Sequence, residues 1–172
     1  MQLSQLPAKS IVLVDANILV YYFSEQSPLH LECKEFVLRA TRGEIQVFTS
    51  TPVVAEVIHR VMVAEAIERF SLTPGDAVNH LKRHPDAIIQ LHKYCPVPSD
   101  IYRAGIRILP VDYTDLHRSR EWREKHGLLT NDSLAVAVMK RHKIINLATN
   151  DPDFERIPGI RVWRPAPTKT HK

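Results

Sequence analysis

Three short apolar runs constrain the fold of this chain more than any other feature: "IVLVD" (Ile11 to Asp15), "IQVFTS" (Ile45 to Ser50) and "IINLAT" (Ile144 to Thr149). They are rich in β-branched residues and mostly apolar, without clean alternation of polar and apolar positions. That is the pattern of strands covered on both faces. Segments with helical spacing separate them. "ANILVYYF" predicts a short helix after the first run, and the next helix places Leu29, Cys33, Phe36, Val37 and Ala40 on one face, with Gly43 as its stop. Thr51 as N-cap and Pro52 in the first turn open a helix carrying Val53, Val54, Val57, Ile58 and Val61 on one stripe.

Two short helices are expected over 71–84 and 85–95, ended by the proline-rich "PVPSD". "IRILPVD" is a further strand. "YTDLHRSREWREKHG" reads as a polar, exposed helix closed by Gly127, another helix starts at Asn131, and "IRVWRP" is a last edge strand. Strands and helices therefore alternate, which predicts a three-layer αβα fold around a parallel sheet of about five strands. We expect an N-terminal extension over 1–10 and a single domain over 11–165, with a helical insertion around 69–105 and a basic tail over 166–172.

The 172 residues are 44% hydrophobic, enough for one sizeable core. No apolar run approaches the roughly 20 residues of a membrane span, and "MQLSQLPAKS" does not read as a secretory signal. A cytoplasmic location is therefore expected, with Cys33 and Cys95 as reduced, buried thiols. The net charge of +4 permits a polyanionic partner without requiring one. His80, His84, His92 and Cys95 have a superficially zinc-like spacing, but Pro85 should break the helix that would align the first pair.

The chemistry lies in the acids. Asp15 ends the first strand and Asp151 follows the strand "IINLAT", so both belong at the carboxyl-end rim of the sheet, where sites in such folds lie. Glu56, about one turn into its helix, flanks the Val53/Val57 stripe and should be half-buried, and Asp132 is in the first turn of its helix. Four acids converging on one rim are costly unless protonated or neutralised by a cation. All-oxygen ligation selects a hard ion, Mg²⁺ or Mn²⁺, and ions held this way hydrolyse phosphodiesters.

In this order and setting, "VDANILVYY", "STPVVAEVIHR", "LLTNDSLAVAVMKRHKI" and "NLATNDPDF" resemble the motifs of the PIN-domain ribonucleases, including the VapC-type toxins. The resemblance implies a Mg²⁺- or Mn²⁺-dependent endoribonuclease acting on RNA, with Asp15, Glu56, Asp132 and Asp151 as catalytic metal ligands and Asp153 as a possible helper. It implies a small antitoxin partner and a homodimer, and it places Asn17 where the family has a small polar residue beside the first acid. Arg60, one turn beyond Glu56, is the candidate phosphate contact. Each acid also has a plain reading: Asp15 and Asp132 suit helix N-termini, Glu56 could pair with Arg60, and Asp151 and Asp153 flank Pro152 in a turn.

Arg118, Arg120 and Arg123 with Trp122 could line a nucleic-acid groove, and the same pattern also reads as a solvated helix face. Two other functions compete. A phosphohydrolase of the haloacid-dehalogenase type would use Asp15 as nucleophile, but the D-x-D pattern it needs has Asn17 at its third position. A non-catalytic binding module on the PIN fold should lack one of the acids.

Overall fold

The structure is a computed structural model that describes residues 1–167; most of the basic tail expected over 166–172 lies outside them. Five strands form one all-parallel sheet in the order β3-β2-β1-β4-β5: β1 (Ile11–Val14), β2 (Gln46–Ser50), β3 (Arg107–Leu109), β4 (Asn146–Ala148) and β5 (Arg161–Trp163). The helices are α1 (Ala16–Phe23), α2 (His30–Thr41), α3 (Thr51–Phe70), α4 (Ala77–Arg83), α5 (Pro85–Ile89), α6 (Val97–Arg103), α7 (Tyr113–His126) and α8 (Thr130–Arg141). A 3-10 turn, Pro152–Arg156, joins β4 to β5.

β1 is the centre of the molecule, with Leu13 in register with Phe48 on one side and Leu147 on the other. Its side chains divide the core. Val12 and Val14 pack into the layer built from α1, α2, α3 and α6, whereas Leu13 packs with Val136, Met139 and Phe154 on the opposite face. Covering both faces explains why the run is apolar at successive positions. The chain leaves β1 toward β2 and β3, then returns to the other side for β4 and β5. The strand order thus reverses at β1 and β4, and a crevice is expected outside their carboxyl ends.

Several elements differ from expectation. "PVPSD" does not end the helical stretch but opens α6, because proline fits a first turn, where its missing N–H costs nothing. α3 starts one residue early, with Ser50 as N-cap and Thr51 inside the helix. The break at Pro85 is present, with His84 serving both as the end of α4 and as the cap of α5. Leu81 of α4, Ala87 of α5 and Leu91 just after it pack against Ala66 of α3 in a separate small core.

The first residues belong to the same body as the rest. Leu3 and Leu6 are buried in the main core, and Gln2 bridges Arg164 at the sheet edge beyond β5. Cys33 is buried, and burial pushes its thiol up to about 12; Cys95, expected inside, is exposed. Among the described residues, no helix is long and apolar enough to cross a membrane.

Candidate active site

The carboxyl ends of β1 and β4 are joined by side chains. Asp15 follows the last residue of β1 and caps α1, with Oδ1 accepting the Ala16 N–H at 2.7 Å. Its Oδ2 accepts two further hydrogen bonds, from the Thr149 hydroxyl at 2.7 Å and the Asn17 amide at 2.6 Å. Thr149, wholly buried at the end of β4, also accepts the Asp151 N–H at 3.1 Å. Asp151 in turn caps the 3-10 turn by accepting the Asp153 N–H at 2.8 Å. Capping and a place on the rim are therefore not alternatives for these two acids; the same geometry provides both.

α3 and α8 bring the other two. A pocket of about 130 Å³ has Asp15, Glu56, Asp132 and Asp151 among its lining residues, with Asn17 and Arg60 beside them. Four acids from four segments of the chain thus share one concavity. Glu56 is half-buried, as its place beside the valine stripe requires, and the Asn131 amide lies 3.5 Å from its Oε2. Burial raises the Asp132 carboxyl to about 6, and the negative charges of Asp15, Asp151, Asp153 and Glu56 push the same way. Burial also raises Asp15, with Glu56 and Asp151 adding to it, against the lowering effect of the Thr149 and Ala16 hydrogen bonds.

The remaining candidates fare differently. Asp153 pairs with Arg156 at 2.9 Å, and Arg156 also donates to the carbonyls of His126 and Gly127, so this acid already has a counter-charge. Arg60 sits 3.7 Å from Glu56, a loose contact that leaves its donors available to the pocket. Asn17 has both ends engaged: its amide nitrogen donates to Asp15 and Thr149, and its oxygen accepts the Asn150 N–H. Arg123, read from sequence as a candidate groove residue, points inward and donates to Ser119 and Ser133. Sequence reasoning did not single out Thr149, Ser50 or Asn131, although all three adjoin the site. The run "TNDPDF" contains Thr149, but a threonine ending a strand otherwise reads as an ordinary β-former.

The donor set suits a hard divalent cation: carboxylate oxygens, with no sulfur or imidazole among the pocket's lining residues. The negative charge gathered there has no full counter-charge from protein. The acids do not form a finished cage, since among the described residues no three acidic, histidine or cysteine side chains are placed to hold one ion together. The four acids expected on one rim thus line one pocket from separate segments of the chain.

With this fold and site, the chain matches the family model of the PIN domain over residues 12–160 and belongs to that family. Among curated proteins it is similar to ribonuclease VapC2 of Methanocaldococcus jannaschii, 24% identical over 88% of this chain and 91% of the relative. It is also similar to ribonuclease VapC6 of the same organism, 37% identical over 33% of this chain and 37% of the relative. Among solved structures, VapC20 of Mycobacterium tuberculosis, a sarcin-ricin loop cleaving toxin, shares the fold with a TM-score of 0.57 and 17% identity, covering 87% of this chain and 98% of that one. VapBC2 of Rickettsia felis, bound to a fragment of promoter DNA, matches with a TM-score of 0.55 and 18% identity over 91% of this chain and 99% of that one. This assignment replaces the haloacid-dehalogenase reading of Asp15.

Proposed function

We propose that this chain is a metal-dependent endoribonuclease, the toxin of a toxin–antitoxin pair. One observation carries the reading: Asp15, Glu56, Asp132 and Asp151, from four segments of the chain, line the same pocket, with only Arg60 among its lining residues to offset their charge. These four would hold Mg²⁺ or Mn²⁺, whose chemistry there is water activation and neutralisation of charge on the phosphate. Asp15 is fixed by three hydrogen bonds and supplies a rigid wall. Asp132, raised to about 6 by burial and its acidic neighbours, would be held in its ionised form by a bound cation. Arg60 reaches the same pocket and offers a guanidinium to a phosphate oxygen. Asp153 assists by bracing Arg156 against the loop that leads into α8.

An antitoxin partner fits the surroundings of the pocket. A groove of about 820 Å³ runs between α1 and α3, with Val20, Phe23, Val61 and Ile67 among its walls, and it shares Arg60 with the acidic pocket. A segment lying in that groove would end beside the acids and obstruct them. The homodimer belongs to the same proposal through the family resemblance, and sedimentation of the purified chain would check it.

The purified protein supplied with Mn²⁺ or Mg²⁺ should cut single-stranded or transfer RNA, and the Asp15→Asn variant should not. Cutting that persists in EDTA, or in that variant, would overturn the reading. Lack of any thermal shift with divalent ions would favour a non-catalytic binding module instead.

A further inference from the structure

We propose that Thr149 and Asn17 form a clamp that fixes the first acid of the site and leaves it one free lone pair for a cation, making Asn17 a positioning residue and not a substrate contact. The inference rests on the ribonuclease reading above and concerns how its first acid is prepared.

The argument is a count of lone pairs and donors. A carboxylate offers about four acceptor positions, two on each oxygen. On Asp15, Oδ2 takes the Thr149 hydroxyl at 2.7 Å and the Asn17 amide at 2.6 Å, so it is full. Oδ1 takes only the Ala16 N–H. The unspent position on Asp15 is therefore on Oδ1, and the clamp determines which oxygen remains available.

Thr149 is itself fully committed, and Asn17 has spent both of its amide protons. Thr149 Oγ1 donates to Asp15 and accepts from both Asn17 and the Asp151 N–H, which uses its one proton and both lone pairs. Asn17 Oδ1 accepts the Asn150 N–H at 3.0 Å. One hydroxyl and one amide thus tie Asp15 to the backbone that carries Asp151, across the β1/β4 junction. Asn17, with both amide protons spent on Asp15 and Thr149, has no donor left for a phosphate oxygen. Thr149, with no exposed surface, cannot reach one. Partners of this kind typically alter ion affinity about 10–100-fold when removed, because an unheld ligand must be ordered at the moment of binding.

Isosteric and conservative variants separate this from a packing role. Thr149→Val keeps the volume and removes the hydroxyl, while Thr149→Ser keeps the hydroxyl and loses a methyl. Mn²⁺ titrated calorimetrically into the full chain should bind Thr149→Val about 10–100-fold more weakly than the starting protein, and Thr149→Ser within a few-fold of it. Asn17→Ala should follow Thr149→Val. Should Thr149→Val fail to fold, Asn17→Ala, at an early position of α1, carries the test.

A second readout needs no metal. By NMR the Asn17 side-chain amide protons should exchange slowly in the metal-free protein and rapidly in Thr149→Val. The clamp is overturned if both variants bind Mn²⁺ like the starting protein, or if the Asn17 amide exchanges freely. If the starting protein itself binds no Mn²⁺, the metal-dependent reading falls, and the exchange measurement alone then decides the clamp.

Discussion

The two ends of α8 treat charge in opposite ways. At its start Asp132 faces Asp15, Asp151 and Glu56 across the pocket, and burial together with those like charges raises its carboxyl to about 6. At its far end Arg141 reaches back to α7, bonding Asp112 at 2.7 Å, Asp115 at 3.0 Å and the Pro110 carbonyl at 2.6 Å. Asp115 is wholly buried, and its Oδ2 also accepts the Asp112 N–H in a capping box. α3 repeats the contrast. Glu65 is buried and accepts the backbone N–H groups of His92 and Lys93, tying down the segment after α5, whereas Glu56 on the same helix faces the pocket with only loose contacts. Acids given a partner by the fold hold elements together. Acids left without a full partner raise the free energy of the folded protein through burial and mutual repulsion.

The largest expected effect is at the paired end. Asp115→Ala leaves Arg141 without its most buried partner and removes half of the capping box, so it should destabilise the protein by about 3 kcal/mol. Arg141 keeps Asp112 and the Pro110 carbonyl, which places the cost at the lower end of the range for broken buried pairs. The melting temperature should fall on the order of 10 °C. Asp115→Ala should leave cleavage per folded molecule unchanged. A variant that kept its melting temperature and lost cleavage would place Asp115 with the functional acids and break the contrast.

Next comes Asp132→Asn. Losing one charge-bearing group of the site should lower single-turnover cleavage about 100-fold. The same substitution should stabilise the metal-free protein. The carboxyl lies at about 6 when folded against an ordinary value of 3.8, so the folded state holds its proton more tightly. Folded protein therefore binds more protons than unfolded protein between about pH 4 and 6, and stability falls as pH rises through that window. Above it the full penalty remains. The nominal figure is near 3 kcal/mol, and screening at a half-buried side chain reduces it to roughly 1 kcal/mol. At pH 7.5 in EDTA, Asp132→Asn should melt about 2–4 °C higher. A lower melting point would mean that Asp132 is a structural acid like Asp115.

This contrast also marks what could be read from the sequence. The sheet was legible because β1 is an unbroken Ile-Val-Leu-Val run and β2 and β4 lie in the mostly apolar segments 45–50 and 144–149, as doubly covered strands require. The four acids were legible because rim positions follow from strand and helix order alone. The network around α7 was not. Asp115, Ser119 and Arg123 recur at helical spacing on its inner face, yet all are polar, so an interior stripe looks like a solvated one. Glu65 hides in the same way on α3, because the backbone amides that satisfy it come from residues 92 and 93, whose approach depends on the fold of α4 and α5. The clamp at Thr149 escaped notice because its partners lie 132 and 134 positions away.

The smallest expected effect is on the outer face of α7. Arg120 pairs with Glu124 at 2.6 Å one turn on, and both side chains are more than half exposed. An exposed i,i+4 pair contributes little, since water screens the charges and two long side chains lose rotamer freedom to hold it. Arg120→Ala should therefore shift the melting temperature by no more than about 1 °C, and RNA affinity should stay the same. The informative measurement is the salt dependence of RNA binding, because a phosphate contact shows itself as a change of slope even when affinity at one salt concentration barely moves. If the logarithmic slope flattens by about 0.7–1, α7 presents its outer arginines to RNA. Its outer face would then belong with the unpaired pocket acids, and the line between structural and functional charge would run along the length of α7, with Asp115, Ser119 and Arg123 on one side and Arg120 on the other.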